Sequence, residues 1–315
     1  MWPWDHWVAR WHCRDRAGGV VSATVKPSPF EYSAPTTLDE ALALLQEHGE
    51  DARPLAGGQS LVPLLSLRLA RPSHLVDLAG ISELGTIVVE GDHLVIGAMV
   101  RERSAERHGD VRRLAPLLAQ ALPLIGHPAI RSRGTIGGSL SHADPAAELP
   151  AVALLLDADL VAQSSARGTR TITAADFFIG FFTTALEPDE ILTEVRIQRP
   201  PPGTGSAIEE VARRHGDFAM VGAAAVVRLE DGKIADARVA LTGVSGVPVR
   251  ATEAETVLEG AEPTEEAFAT AAEEAAKSLS PPADLHGSSA YRRHLAALLM
   301  RRTLKLAAQR AREAA

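Results

Sequence analysis

The stretch RSRGTIGGSLSHADPAAELP, residues 131–150, decides how the rest of the chain is read. It places the pair Gly137-Gly138, flanked by Thr135 and Ser139, ahead of His142, Asp144, Glu148 and an apolar run beginning at Leu149. Adjacent glycines allow backbone N–H groups to point into one concavity with no Cβ in the way, which is how a phosphate is approached closely. A second turn of the same kind, LAGGQSLV, occupies residues 55–62. The hydroxyls of Ser60, Thr135 and Ser139 add donors, and where such a turn leads into a helix the helix dipole would add to them. A single paired-glycine turn more often only reverses the chain. Two with flanking hydroxyls bring an anion-binding reading level with the structural one. The G-x-G-x-x-G fingerprint does not follow a strand and G-x-x-x-x-G-K-[ST] is absent, so this is neither an ordinary Rossmann nor a P-loop chain.

The acidic residues of the opening stretch divide by spacing. Asp144 followed by Pro145 reads as a helix start, a cap and then a first helical residue without a free N–H. A capping box would place its acid three residues after the cap, where Ala147 stands. Glu148 is therefore left for two readings: an acceptor for sugar or ribityl hydroxyls beside the glycine turn, or a solvated carboxylate on a helix face. The spacing H-x-D-x(3)-E does not bring three ligands together on a helix, so no metal site is expected and His142 stays unassigned.

Working outward, PTTLDEALALLQEHGED predicts a helix capped by Thr37, boxed by Glu40 and stopped by Gly49. Residues 52–81 alternate a short apolar run, the glycine turn, a short helix and the strand HLVDL. TIVVEGDHLVIGAMV predicts a hairpin around Glu90-Gly91-Asp92, and residues 111–125 a helix. An apolar helix, a strand pair and the further strand ILTEVRIQRP follow. PPPGTGSA, residues 200–207, is the best boundary in the chain. Beyond it come three strands, with a hairpin at Glu230-Asp231-Gly232, and helices over 263–278 and 288–312.

Composition excludes several classes. At 315 residues the chain can bury a sizeable core and suggests about two domains. A net charge of -8 argues against nucleic-acid binding, which normally needs a basic face. The lone Cys13 cannot build a disulfide framework, an iron–sulfur cluster or an all-cysteine zinc site, and a cytoplasmic setting is expected. No run reaches the roughly 18 apolar residues of a membrane span. All four tryptophans fall within residues 2–11, so residues 1–25 read as an atypical extension, disordered or weakly docked, with Val25 as a conceivable true start.

KPSPFEYSAPTTLDEALALL (26–45), LAGGQSL (55–61), HLVDL (74–78), IGHPAIRSRGTIGGSLSHADPAAELP (125–150), RRHGDFA (213–219) and YRRHLAALLMRRTL (291–304) occur in order and together resemble one family. It is the FAD-binding medium subunits of molybdenum hydroxylases, the carbon monoxide dehydrogenase and xanthine dehydrogenase family. The resemblance implies an α+β fold: a two-subdomain FAD-binding domain of the PCMH type over 26–202, split at about 82/83, then a smaller α+β domain over 203–312 with a three-stranded antiparallel sheet and helices.

It further implies that Leu55, Ala56, Gly57, Gly58, Gln59, Ser60, Leu61 and Val62, with Thr135, Ile136, Gly137, Gly138 and Ser139, cradle the FAD pyrophosphate and its neighbours. Glu148 falls where the family binds cofactor hydroxyls, and Ile125 where an apolar residue meets the cofactor. Phe218 stands near the isoalloxazine ring where some members have Tyr; its missing hydroxyl leaves stacking intact. No catalytic acid or base is expected on this chain. The 4-hydroxybenzoyl-CoA reductase branch, which carries an extra iron–sulfur insert, is excluded because Cys13 is alone.

By the same resemblance, 2Fe-2S clusters sit on a small partner subunit and molybdopterin on a large one, in a dimer of heterotrimers, and this chain is the electron exit. A stand-alone FAD oxidoreductase and a flavin-free assembly subunit are the alternatives. The arginines of the last helix, Arg292, Arg293, Arg301, Arg302 and Arg310, are read either as a solvated basic face or as a contact to a partner.

Overall fold

A computed structural model describes residues 26–314; the expected extension over 1–25, and with it Cys13, lies outside the described residues. The first layer is β1 (Glu31–Ser33), α1 (Leu38–His48), β2 (Ala52–Leu55), α2 (Leu61–Ser66) and β3 (His74–Asp77). The three strands form a parallel sheet in the order β1-β3-β2. Thr37 and Glu40 complete the expected capping box of α1, and Gly49 closes it at φ 52°. In an open parallel sheet, ligands gather beyond the carboxyl ends of the strands. Leu55 and Asp77 are those ends here, paired with one another across β2 and β3.

The second layer begins with β4 (Ile87–Glu90) and β5 (His93–Gly97), the expected hairpin. Short helices follow: α3 (Glu102–Arg107), α4 (Gly109–Leu114), α5 (Pro116–Ala121), α6 (Pro128–Arg131), α7 (Ile136–His142) and α8 (Glu148–Leu155). The single helix expected over 111–125 is broken. Pro116, with no N–H to donate, starts a new helix after α4 has ended, and Leu122–Leu124 closes as a 3₁₀ turn. Then come β6 (Asp159–Ser164), β7 (Gly168–Thr173), α9 (Ala174–Phe177), the small hairpin β8 (Phe178–Gly180) with β9 (Thr183–Thr184), and β10 (Glu190–Gln198). The antiparallel sheet runs β4-β5-β10-β6-β7, so the last strand inserts at its centre.

The third layer is β11 (Thr204–Val211), β12 (Val221–Glu230), β13 (Lys233–Thr242), β14 (Val249–Arg250), α10 (Thr252–Leu258), α11 (Glu265–Ser278) and α12 (Ser289–Glu313). Its antiparallel sheet has four strands where three were expected. The fourth, β14, is two residues long and pairs only with Ala240 and Leu241, too short to show an alternation in sequence. Both faces of this sheet are buried. Ala223, Ala225 and Val227 join the core under α12, on which α11 packs. Ala224, Val226 and Ala240 join the core around α8. That is why β12 reads as a continuous apolar run rather than an alternating one, and why all eight residues of α8 are buried.

The arginines of α12 mostly hold the chain to itself. Arg292 is buried and donates to the carbonyls of Met220 and Gly243 and to Asp284, while Arg293 donates to the Leu279 carbonyl at 2.9 Å. Arg310 reaches Gln120 and the Ser206 carbonyl, bracing the third layer on the second. Arg301 pairs with Glu265 and Arg302 with Glu209. Arg301 and Arg302 are exposed, as the solvated basic face expects, whereas Arg292, Arg293 and Arg310 are buried or half-buried against the chain. No helix among the described residues is long and apolar enough to cross a membrane.

Candidate functional site

The turn after β2 lines one wall of a cavity of about 440 Å³ between the first two layers. Leu55, Ala56, Gly57, Gly58, Gln59 and Val62 face it, whereas Ser60 and Leu61 stand behind them at the start of α2. Gly58 has φ 71°, a left-handed conformation that favours glycine. Its carbonyl accepts the Val62 N–H at 3.1 Å, and the Gln59 side chain folds back on the Gly57 carbonyl at 3.3 Å. Among the described residues, the N–H groups of Gly58, Gln59 and Ser60 donate to no protein atom. Helix α2 has only six residues, so the donors of the turn itself, rather than a helix dipole, carry the attraction for an anion.

The opposite wall comes from the segment after β5 and the residues just before the second glycine turn. A bridge pairs Arg101 with Thr135, and the Glu102 N–H donates to the Gly134 carbonyl at 3.0 Å. This register sets Arg101 beside Arg133, and both line the cavity together with Asp77. Arg101 donates to the Arg133 carbonyl. Burial lowers its pKa, Arg133 adds to that effect, and Asp77 opposes it. Asp77 is itself held by the Tyr32 hydroxyl at 2.6 Å and the Ala79 N–H at 2.9 Å. None of these charged residues stands out in the sequence, because topology alone brings them to the turn.

The second glycine turn is built differently. The N–H groups of Ile136 and Gly137 donate to the Val100 and Ala98 carbonyls at 3.0 and 2.8 Å. Those of Gly138 and Ser139 donate to the Thr135 hydroxyl and carbonyl, each at 3.0 Å, so Thr135 is the N-cap of α7. A Cβ on Gly137 would lie 2.4 Å from that of Ala98, and one on Gly138 would lie 3.3 Å from that of Ala56. These glycines let the turn press against the end of β5 and against the first turn. Thr135, Ile136 and Gly137 are buried, while Gly138 and Ser139 are half-buried. None of residues 135–139 lines the cavity, and the N–H groups from Ile136 to Ser139 are all engaged within the protein.

Glu148 is the first residue of α8, not one turn into a helix begun at Asp144. The Asp144 carboxylate accepts the Ala146 N–H at 2.9 Å in a local turn, and Ala147 is the cap residue, without a side-chain cap bond. The Thr242 hydroxyl donates to the Pro145 carbonyl at 2.6 Å and the Gly243 N–H reaches the same carbonyl at 2.8 Å. Those bonds from the third layer fix the entry to α8. Glu148 is 4% exposed, and burial, then the neighbouring Glu210 carboxylate, pushes its pKa up to about 8. Burial likewise raises Glu102 to about 8 and Glu210 to about 7, and each keeps a buried carboxylate oxygen without a hydrogen-bond partner. Glu102 and Glu210 had no signal in the sequence.

Ile125 is half-buried against the core around α8, and its carbonyl accepts from the buried Arg131 at 2.8 Å. The loop before β12 packs on the same turn, since a Cβ on Gly216 would lie 2.7 Å from the His127 ring. Phe218, in that loop, is 59% exposed, an uncovered ring of the kind that stacks on a flat ligand. His142 ends α7, is half-buried with its pKa lowered by burial, and lies 5.1 Å, ring to ring, from Phe182.

Residues 28–200 match the FAD binding domain in molybdopterin dehydrogenase, and residues 206–307 the CO dehydrogenase flavoprotein C-terminal domain. The 6-hydroxypseudooxynicotine dehydrogenase complex subunit alpha of Paenarthrobacter nicotinovorans is 41% identical over 91% of this chain and 97% of its own length. Caffeine dehydrogenase subunit beta of a Pseudomonas species is 46% identical over 72% of this chain and 77% of its own. A solved carbon monoxide dehydrogenase from Hydrogenophaga pseudoflava superposes with a TM-score of 0.88 at 41% identity, covering 90% of this chain and 99% of that one. With both domains matched in order across the described chain, the protein belongs to the family of FAD-binding flavoprotein subunits of molybdopterin-dependent dehydrogenases.

Proposed function

We propose that the chain is the FAD-carrying electron-transfer subunit of a molybdenum hydroxylase. It receives electrons from 2Fe-2S clusters on a small partner subunit, supplied in turn by a molybdopterin centre on a large one, and delivers them to an external acceptor. The observation that carries the reading is the cavity at the first glycine turn, where free N–H groups and two arginines face one another on the FAD-binding domain. FAD, when bound, supplies the redox chemistry.

The residues present fit that group. Leu55 to Val62 receive the diphosphate, with the N–H groups of Gly58, Gln59 and Ser60 as donors. The segment Thr135-Ile136-Gly137-Gly138-Ser139 closes the cradle from behind and contributes the Thr135 and Ser139 hydroxyls. Glu148 accepts from the hydroxyls of the ribityl chain. Those bonds would satisfy a carboxylate that burial otherwise leaves without a cation. Ile125 and Phe218 flank the ring system. In this reading residues 26–202 hold the cofactor, and residues 203–312 fix the entry to α8 and supply Phe218.

The assembly is a dimer of heterotrimers in the cytoplasm. Recovering the chain from its native host with its companions tests this. Co-purification with one protein containing 2Fe-2S clusters and one containing molybdopterin, with substrate bleaching the flavin, supports it. A flavin protein that oxidises a substrate alone, or a colourless chain that FAD cannot restore, contradicts it.

A further inference from the structure

The cavity at the first glycine turn contains more positive charge than the turn requires. Arg101 and Arg133 line it together, and among the described residues neither guanidinium is paired with a carboxylate. The nearest acid, Asp77, is already engaged by Tyr32 and by the Ala79 N–H. Like charges set side by side in a partly buried pocket repel, and the arrangement is relieved by a ligand with two negative charges. Lining the same cavity are Gly58 and Gln59, whose N–H groups donate to no protein atom among the described residues.

We propose that Arg101, with Arg133 beside it, is a diphosphate-reading residue. Its guanidinium closes on the pyrophosphate from the side opposite the glycine turn, so the site selects a dinucleotide by its diphosphate. The position of Arg101 follows from structure: its bridge to Thr135 and its bond to the Arg133 carbonyl hold it at the cavity wall in one register. A planar guanidinium presents parallel donors to two phosphate oxygens, which a lysine cannot reproduce.

This inference rests on the FAD reading, and its test separates the two. FAD binding to the full chain is measured by flavin fluorescence, with ADP and adenosine as competitors. The wild-type chain is expected to bind FAD, and ADP to displace it at least tenfold better than adenosine does, since a charge-assisted bond contributes roughly 1.5–3 kcal/mol, about 10- to 150-fold. Arg101→Ala is expected to weaken FAD and ADP by at least about tenfold while riboflavin binding changes less than twofold, and Arg101→Lys to recover only part of the loss. FAD affinity within twofold of wild type in a folded Arg101→Ala chain would overturn the inference and leave the FAD reading standing. So would equal competition by ADP and adenosine in the wild-type chain, a result that needs no variant. A wild-type chain that binds no FAD overturns the FAD reading and this inference with it.

Discussion

The two glycine turns look alike in sequence, AGGQS and TIGGS, yet the structure uses them in opposite ways. In the first, the N–H groups of Gly58, Gln59 and Ser60 are unengaged, and Gly58 and Gln59 line a cavity. In the second, the N–H groups from Ile136 to Ser139 are all engaged within the protein, and Gly137 is needed because β5 presses against it. Close approach is common to both, since a Cβ on Gly57 would lie 2.3 Å from the Arg133 carbonyl oxygen; what sets the first turn apart is its free donors. Only the partners of the N–H groups distinguish them.

The largest effect is expected at the second turn. Gly137→Ala places a methyl 2.4 Å from the Ala98 Cβ, with backbone atoms close by. Overpacking of this kind should cost about 3 kcal/mol, read as a lower midpoint in denaturant unfolding of the flavin-free chain. Gly58→Ala should cost only the roughly 1–2 kcal/mol of a left-handed alanine. A larger loss at Gly58 than at Gly137 would break the comparison.

Next is the brace that fixes the entry to α8. Thr242→Val removes the donor to the carbonyls of Pro145 and Ala147 and should destabilise by about 1–2 kcal/mol. If Glu148 depends on this brace, the same change weakens FAD binding. An unchanged affinity in calorimetric titration would detach the third layer from the site.

A smaller change is expected on the open side. Phe218→Ala removes a ring that is 59% exposed, so the flavin-free chain should keep its melting temperature while FAD affinity falls about tenfold through lost stacking. A drop in melting temperature with unchanged affinity would assign Phe218 to packing instead.

The most graded effect is on pH. Glu148 and Glu102 are raised to about 8 and Glu210 to about 7, so the folded chain holds protons that the unfolded chain releases near the ordinary glutamate value of 4.5. Their contribution to stability is fully present below that value and is lost as pH rises through about 7 to 8. The melting temperature of the flavin-free chain should fall from pH 6 to pH 9, less steeply in Glu148→Gln. A rise over that range would contradict the assignment.

What was legible in the sequence was local. The capping box of α1 and the hairpins at Gly91 and Gly232 are set by neighbours within a few residues, while Pro116, equally local, breaks what reads as one helix. The insertion of β10 between β5 and β6 and the two-residue β14 depend on distant partners and left no pattern. The site divides in the same way. The glycine turns and the spacing of Glu148 stand out in the sequence, but Arg101 and Arg133 reach the cavity through the bridge at Thr135, and Glu102 and Glu210 come to act on Glu148 through the packing of the three layers. Asp144 misled because Asp-Pro resembles a cap, while Thr242 and Gly243 anchor the Pro145 carbonyl and delay the helix to Glu148.

Whether this subunit carries the cofactor is decided by the flavin content of the chain recovered from its native host, with reconstitution by FAD where content is low. One FAD per chain is expected, held non-covalently and released on unfolding. A folded chain that carries no FAD and takes up none on addition would contradict that expectation.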